Sequence, residues 1–456
     1  VQNFVEWDNT LIKKYNVSGP RYTSYPTALS FESGFSVESV KSAIVKSDNT
    51  RLSLYIHVPF CHQLCYYCGC NKIITRHQHK ADVYLDFLEQ EAKAQAALYK
   101  DYKIEQLHLG GGTPTFLTKE QMSRLMAIVQ AHFNFSDSVQ SSIEIDPRSL
   151  PDDMLGHLRS LGFNRVSFGI QDFNDDVQKA VNREQCADNV ANLVSEARAL
   201  GFSSVNADMI YGLPLQTPES FKESMARLIA LSPDRVSVFN YAHLPDRFAA
   251  QRKIKDEQLP SPEQKLTMFK NTLAQMMEAG YVNIGMDHFA KSTDSLAIAQ
   301  QQGKLHRNFQ GYTTHGDCDL LGLGASSISQ VGDSIFQNPK DLKDYYQTVE
   351  ASGVPVVKGL TLTLDDKVRA FVIKEIICHF KLNFSDVEHK FAINFADYFA
   401  DELGGLTCFS EDGMVSLNEE ALIVENKGRL FIRNICMTFD AYLKQQAKLT
   451  RFSRVI

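Results

Sequence analysis

The sequence predicts an α/β protein: an open, partial (β/α)6 barrel with an N-terminal arm and a smaller, mostly helical C-terminal domain. Three observations predict this. Six short apolar runs end near His57, Leu109, Ile145, Ile170, Asp208 and Asn240, at spacings that suit repeated β-loop-α-loop units. Polar motifs fall at the ends of those runs, where parallel (β/α) sheets collect their ligands. The chain is long and ordinary in composition, 456 residues with 44% hydrophobic and 22% charged, which is enough for roughly two to three domains.

Residues 1–35 carry aromatic and proline residues without clear periodicity, including SGPRYTSYPTA, and suit an arm lying over the barrel mouth. The barrel is assigned to residues 36–360. Its first strand, LSLYIHV at 52–58, is β-branched and apolar and stops at Pro59, so it delivers the segment CHQLCYYCGC directly to a strand end. Ala81, Tyr84, Leu85, Leu88 and Ala92 then follow the i, i+3, i+4, i+7 spacing of an amphipathic helix.

The next strand ends in HLGGGTPT, where Gly110, Gly111 and Gly112 remove three Cβ atoms; this is either a tight turn or a place where the backbone approaches a ligand. Glu144 in SIEIDP closes the strand after it, and its carboxylate is either a ligand contact or a surface acid. Gln171 in FGIQDF, Arg183 in VNREQ and Asp208 in ADMIYGLP continue the series, each weak by itself, since an Asp in such a place is often a cap and an Arg is often solvated. In residues 361–456 a helical stretch, DDKVRAFVIKEIICHFK, precedes a hairpin pattern, GMVSLNEEALIVENKG, and a final helix, the order of a winged-helix module.

The same numbers exclude several classes. A net charge of -7 argues against a broad nucleic-acid footprint, and the acidic winged-helix-like module is expected to pack on the barrel. No apolar run approaches the roughly 20 residues of a membrane span, and VQNFVEWDNT does not read as a signal peptide, so the expected location is cytoplasmic. The nine cysteines are an odd number in a long chain, which disfavours a disulfide framework. Cys186, Cys318, Cys378, Cys408 and Cys436 show no ligand spacing.

Cys61, Cys65, Cys68 and Cys70 do. A structural zinc site lacks its second ligand pair here, and a redox Cys65–Cys68 pair leaves Cys61 unexplained. The third reading is an iron-sulfur cluster on three thiolates, with one iron left open for chemistry.

The C-x-x-x-C-x-aromatic-C pattern of Cys61, Cys65, Tyr67 and Cys68 resembles the signature of the radical S-adenosylmethionine superfamily. Together with SGPRYTSYPTA, YIHVPFCHQLCYYCGCNK, HLGGGTPT, FGIQDFN, ADMIYGLP, FNYAHLP, GMDHFA and HRNFQGYTT, in that order over essentially the whole chain, it is similar to the oxygen-independent coproporphyrinogen III oxidases, or coproporphyrinogen dehydrogenases. That resemblance implies oxidative decarboxylation of the ring A and B propionates of coproporphyrinogen III to vinyl groups, giving protoporphyrinogen IX in haem biosynthesis. It implies a 4Fe-4S cluster on Cys61, Cys65 and Cys68 and two S-adenosylmethionine molecules per chain.

The first cofactor molecule would use Tyr55, Tyr67, Gly111, Glu144 and Ile328, and the second Gly112, Thr113, Gln171, Arg183, Asp208 and Ala242. Cys70 and Gln310 are the implied catalytic residues, with Gln310 near substrate. Arg21, Tyr22, Lys72, Arg76 and Arg307 are candidates to meet the four substrate carboxylates. An external one-electron donor, an electron acceptor and a monomeric chain complete the expectation. The haem chaperone of the same fold lacks the fourth cysteine of CGC and the PRYTSYP block, both present here. A radical enzyme acting on RNA would bring a basic RNA-binding domain, and none is visible.

Overall fold

The computed structural model describes residues 5–445. The chain divides into two compact units: Phe31–Met268 with Asp317–Thr361, and Val1–Ser30 with Phe269–Gly316 and Leu362–Ile456. This grouping cuts the sequence differently from boundaries at 35 and 360, because residues 269–316, inside the span assigned to the barrel, cluster with the two terminal segments. The first four residues of the expected arm and the last eleven of the expected C-terminal domain lie outside the described residues.

The first unit holds six parallel strands in chain order: β1 Arg51–Val58, β2 Lys103–Gly111, β3 Asn134–Ile145, β4 Arg165–Gln171, β5 Ser204–Tyr211 and β6 Arg235–Asn240. On the other edge of β1 lies β7 Asp319–Leu323, also parallel. The sheet then continues through the antiparallel strands β8 Ile328–Val331, β9 Ser334–Gln337 and β10 Lys358–Thr361. This is the open, partial (β/α)6 barrel. The predicted ends fall on or beside the observed ones, except that β5 runs three residues past Asp208 and so places that carboxylate inside the strand.

β1 shows why these runs are legible. Leu52, Leu54, Ile56 and Val58 are fully buried, and so are Ser53 and His57 between them, as expected of a parallel strand covered on both faces. Helices cover the sheet after successive strands: α1 His79–Leu98, α2 Lys119–His132, α3 Met154–Ser160, α4 Ala187–Ala199 and α5 Pro218–Ala230. Ala81, Tyr84, Leu85, Leu88 and Ala92 form the buried stripe of α1. α2 and α5 begin in capping boxes built by Thr118 with Gln121 and by Thr217 with Ser220, each satisfying backbone N–H groups that the first helical turn leaves open.

In the second unit, Tyr22 donates from its hydroxyl to Asp440 at 2.9 Å, and Arg433 donates to the carbonyls of Gly19 and Pro20, so the N-terminal segment packs on Ile432–Thr438. The C-terminal segment contains the helix Leu364–His379 and a three-stranded sheet of Lys381–Asn383, Ala421–Val424 and Val415–Leu417. The expected order of helix, hairpin and closing helix is therefore present, with short helices between Phe384 and Glu411. Among the described residues no helix is long and apolar enough to cross a membrane.

Candidate active site

The loop leaving β1 carries the four thiols, all free: Cys61 and Cys65 buried, Cys68 half-buried and Cys70 exposed. Two short strands, Phe60–Cys61 and Ile73–Ile74, pair in parallel and hold the two ends of the loop together. Cys61, Cys65, Cys68 and Cys70 line one cleft of about 270 Å³. Among the described residues, no three His, Cys, Asp or Glu side chains converge as ligands of one metal ion. The four thiols border one common space.

Each sulfur has its own environment. Thr113 donates its hydroxyl to Cys61 Sγ at 3.4 Å, while burial pushes the Cys61 thiol up to about 11. Cys65 Sγ accepts from two guanidiniums, Arg183 Nη1 at 3.3 Å and Arg148 Nη2 at 3.4 Å. A hydrogen bond from Cys70, followed by the charge of Lys72, draws Cys68 down to about 6, and the same contact raises Cys70, which keeps its proton. Lys72 Nζ is fixed by the Cys68 carbonyl at 2.9 Å.

The strand ends supply the rest of the cleft. Gly111 has φ 121, and a Cβ on Gly112 would lie 2.7 Å from the carbonyl oxygen of Pro59 and 2.8 Å from that of Phe60, so only glycine lets β2 approach the cysteine loop. Glu144 at the end of β3 accepts from the Gly111 N–H at 3.3 Å and faces His108 Nε2 at 3.4 Å. Gln171, ending β4, takes φ 71, and its buried amide oxygen has no partner. Burial raises the Asp208 carboxyl, which accepts from Ser167 at 3.1 Å and Asn206 at 2.9 Å. Tyr67, Gly111, Gly112, Thr113, Glu144, Gln171, Arg183 and Asp208 all line the cleft with the cysteines.

Three expected cofactor residues, Tyr55, Ala242 and Ile328, are not among the residues that line it. The Tyr55 hydroxyl, on β1, donates to His57 Nδ1 at 3.1 Å while His57 Nε2 faces the Asn71 carbonyl at 3.0 Å, and burial lowers the His57 pKa, which fits a neutral ring. The Tyr55 ring stacks on His108 with centroids 5.9 Å apart. Ala242 follows β6, and Ile328 opens β8 opposite Gln337. Gln310 belongs to the second unit, at the turn between His306–Asn308 and Gly311–Thr313; its N–H bonds Asn308 at 2.9 Å and its side-chain nitrogen is buried without a partner. Arg21 in the same unit pairs with Asp287, and Arg307 lies over the Tyr312 ring at 4.6 Å.

Sequence reasoning missed the groups that hold these residues. Asp146 bridges both guanidiniums, at 2.6 Å to Arg148 and 3.3 Å to Arg183. Burial would raise its carboxyl, but the charges of Arg183 and Arg148 overcome burial and hold it near 2. Its one legible signal was the Asp-Pro-Arg after a strand, which marks a capped turn. Deeper, Glu91 on α1 accepts from Gly324 N–H at 2.8 Å, Asn338 Nδ2 at 2.8 Å and the Tyr345 hydroxyl at 2.6 Å. Tyr84 donates to the His57 carbonyl at 2.6 Å and accepts from Ala325 N–H at 3.1 Å, tying the end of β1 to the turn after β7.

The donor set fits an iron-sulfur cluster: three free thiols share a cleft, and hydroxyl and guanidinium donors are aimed at their sulfurs. The orphaned Gln171 oxygen and the glycine cradle fit a second polar ligand beside it.

Residues 55–228 match the model of the Radical SAM superfamily, and residues 362–431 match that of the HemN C-terminal domain. The chain is 56% identical over 452 residues to an oxygen-independent coproporphyrinogen III oxidase of Salmonella typhimurium, covering 99% of both chains. It is 55% identical to the Escherichia coli protein of that name, again with 99% of each covered. The solved structure of Escherichia coli coproporphyrinogen III oxidase, described as a radical SAM enzyme, superposes with a TM-score of 0.93 at 54% identity, over 96% of this chain and 99% of that one.

Proposed function

The chain belongs to the oxygen-independent coproporphyrinogen III oxidase family, and from that membership we infer that it oxidatively decarboxylates coproporphyrinogen III to protoporphyrinogen IX in haem biosynthesis. The observation that carries this reading is the single cleft at parallel strand ends in which Cys61, Cys65 and Cys68 meet Gly112, Glu144, Gln171 and Asp208. Those three thiols would hold a 4Fe-4S cluster. When bound, it supplies the electron that splits S-adenosylmethionine into methionine and a 5'-deoxyadenosyl radical.

The chemistry of the substrate sets what the chain must do. Loss of a hydrogen atom from a propionate β-carbon leaves a radical that becomes a vinyl group by releasing CO2 and one electron. Two propionates therefore require two S-adenosylmethionine molecules, two electrons from a one-electron donor and an acceptor for two electrons. We assign Tyr55, Tyr67, Gly111, Glu144 and Ile328 to one cofactor molecule and Gly112, Thr113, Gln171, Arg183, Asp208 and Ala242 to the other. The unpartnered Gln171 oxygen supports this as an acceptor for an ammonium group, and the glycine cradle exposes backbone polar groups to the same ligand. Cys70, exposed and holding its proton, stands outside the ligand set as a catalytic candidate. Gln310 is a substrate-side candidate on the resemblance. A cytoplasmic monomer is the form proposed.

Under strict anaerobiosis, protein reconstituted with iron and sulfide, given coproporphyrinogen III, S-adenosylmethionine, dithionite and an electron acceptor, forms protoporphyrinogen IX, CO2 and 5'-deoxyadenosine. Cys70→Ala keeps its cluster and loses turnover, whereas Cys61→Ala, Cys65→Ala and Cys68→Ala lose the cluster. Cluster-loaded wild type that consumes no porphyrinogen and binds haem stoichiometrically would overturn the reading in favour of a haem carrier.

A further inference from the structure

The three thiols expected to hold the cluster are not equivalent. Cys61 receives a neutral hydroxyl, and Cys68 has one ammonium beside it, that of Lys72, whose Nζ also bonds the Cys68 carbonyl at 2.9 Å. Cys65 accepts from two charged donors, both of them guanidiniums. One of the two, Arg183, has a cofactor role by resemblance. Arg148 has none.

Arg148 is nevertheless the more tightly built of the pair. Its Nε lies 3.0 and 3.1 Å from the two oxygens of Asp146, and its Nη2 lies 2.6 Å from Asp146 Oδ2. Its Nη1 reaches Gln63 Oε1 and the Asn182 carbonyl, each at 3.1 Å. Every nitrogen of the fork is engaged, so the plane cannot rotate, and the Nη2 that faces Cys65 Sγ at 3.4 Å is fixed there. The side chains of Arg148, Asp146 and Arg183 are 9%, 11% and 7% exposed, which leaves little water to screen their charges. Two guanidiniums against one carboxylate leave a net positive charge beside Cys65.

We propose that Arg148, clamped by Asp146, is a positioning residue that places a charged hydrogen bond on the Cys65 thiolate and so raises the potential at which the cluster accepts its electron. This rests on the cluster reading above. Uptake of one electron from a low-potential one-electron donor adds a negative charge to the cluster and its thiolates. Positive charge and hydrogen bonds at the sulfurs stabilise that state more than the oxidised one, and donors that touch a metal's ligands tune metal sites in this way generally. A residue that only packed the loop would leave the potential where it was.

The test is a redox titration of the reconstituted full-length protein without S-adenosylmethionine, reduced with dithionite and followed by the electron paramagnetic resonance signal of the reduced cluster, with iron and sulfide content matched between samples. Arg148→Met, which removes the charge and the donor, shifts the midpoint to more negative potential. Arg148→Lys, which keeps the charge but not the fork, shifts it less. A cluster-loaded Arg148→Met at the wild-type midpoint overturns the proposal. If that variant holds no cluster, Arg148→Gln decides in its place: a negative shift supports the proposal and an unshifted midpoint overturns it. Failure of both neutral variants to load makes Arg148 a structural clamp and overturns it too. Absence of any cluster signal in the wild type would instead sink the cluster reading itself.

Discussion

Glu91 is a fully buried carboxyl in the middle of α1 whose pKa burial raises from 4.5 to about 7, against the partial opposition of hydrogen bonds from Tyr345, Gly324 and Asn338. In the unfolded chain it titrates near 4.5, so between pH 4.5 and 7 the folded protein binds a proton that the unfolded chain does not. Stability therefore falls as pH rises through this window, by about 1.4 kcal/mol per pH unit, and the contribution, about 3 kcal/mol in total, is lost above pH 7. Glu91→Gln removes the titration. It also turns an amide donor toward N–H donors, a pH-independent cost of about 1–3 kcal/mol. The assay is hydrogen–deuterium exchange of α1 and of Gly324–Ser327 in wild type and variant from pH 4.5 to 8, corrected for intrinsic exchange. The difference in opening free energy between the two should change by about 3 kcal/mol across the window, in favour of the variant at the alkaline end. A difference that stays flat with pH would refute the assignment of this buried proton to Glu91.

Gly112→Ala drives a Cβ into two backbone carbonyls and should cost about 1–3 kcal/mol while weakening S-adenosylmethionine binding, measured by urea unfolding and equilibrium dialysis. Gly156→Ala meets nothing within 4 Å inside α3 and should be neutral or stabilising by up to about 1 kcal/mol; equal behaviour of the two variants would remove the steric argument. Equilibrium dialysis of reconstituted wild type should give two S-adenosylmethionine molecules per chain and Asp208→Ala one, and a wild-type stoichiometry of one, unchanged in the variant, would count against the second site.

The barrel was legible because of how its strands are buried. β1 shows a nearly continuous apolar run because both of its faces are buried, and the stripe from Ala81 to Ala92 shows the helical period because α1 buries one side. The cysteine loop and the glycines were legible because their chemistry constrains residue type: no other side chain gives a thiolate, and at Gly112 any Cβ would lie 2.7 Å from a backbone carbonyl oxygen. The grouping of residues 269–316 with the termini left no such mark, since it depends on contacts across hundreds of residues. Glu91 was invisible for a related reason. An acid in a helix rich in Gln, Lys and Glu reads as solvated, and only the fold brings it three donors, from Gly324 after β7, Asn338 after β9 and Tyr345 on the helix Leu342–Ser352.

Asp146 and Arg148 show where that limit falls. Residues that touch a ligand lie at strand ends, which periodicity locates, whereas those that hold them lie a turn further on and are polar for reasons local sequence cannot express. Asp146 reads as the cap of Pro147–Ser149, and it is one: it accepts from the Arg148 N–H at 3.1 Å. The same carboxylate also clamps both guanidiniums that face Cys65. Its removal would take one negative charge from the site and also release two positive ones from their positions, effects of opposite sign on any electron-accepting group at the thiols. Arg148 contributes a charge of one sign through one short contact, so its replacement has a single expected direction. The informative perturbation of this site is therefore the arginine, even though the aspartate is its hub.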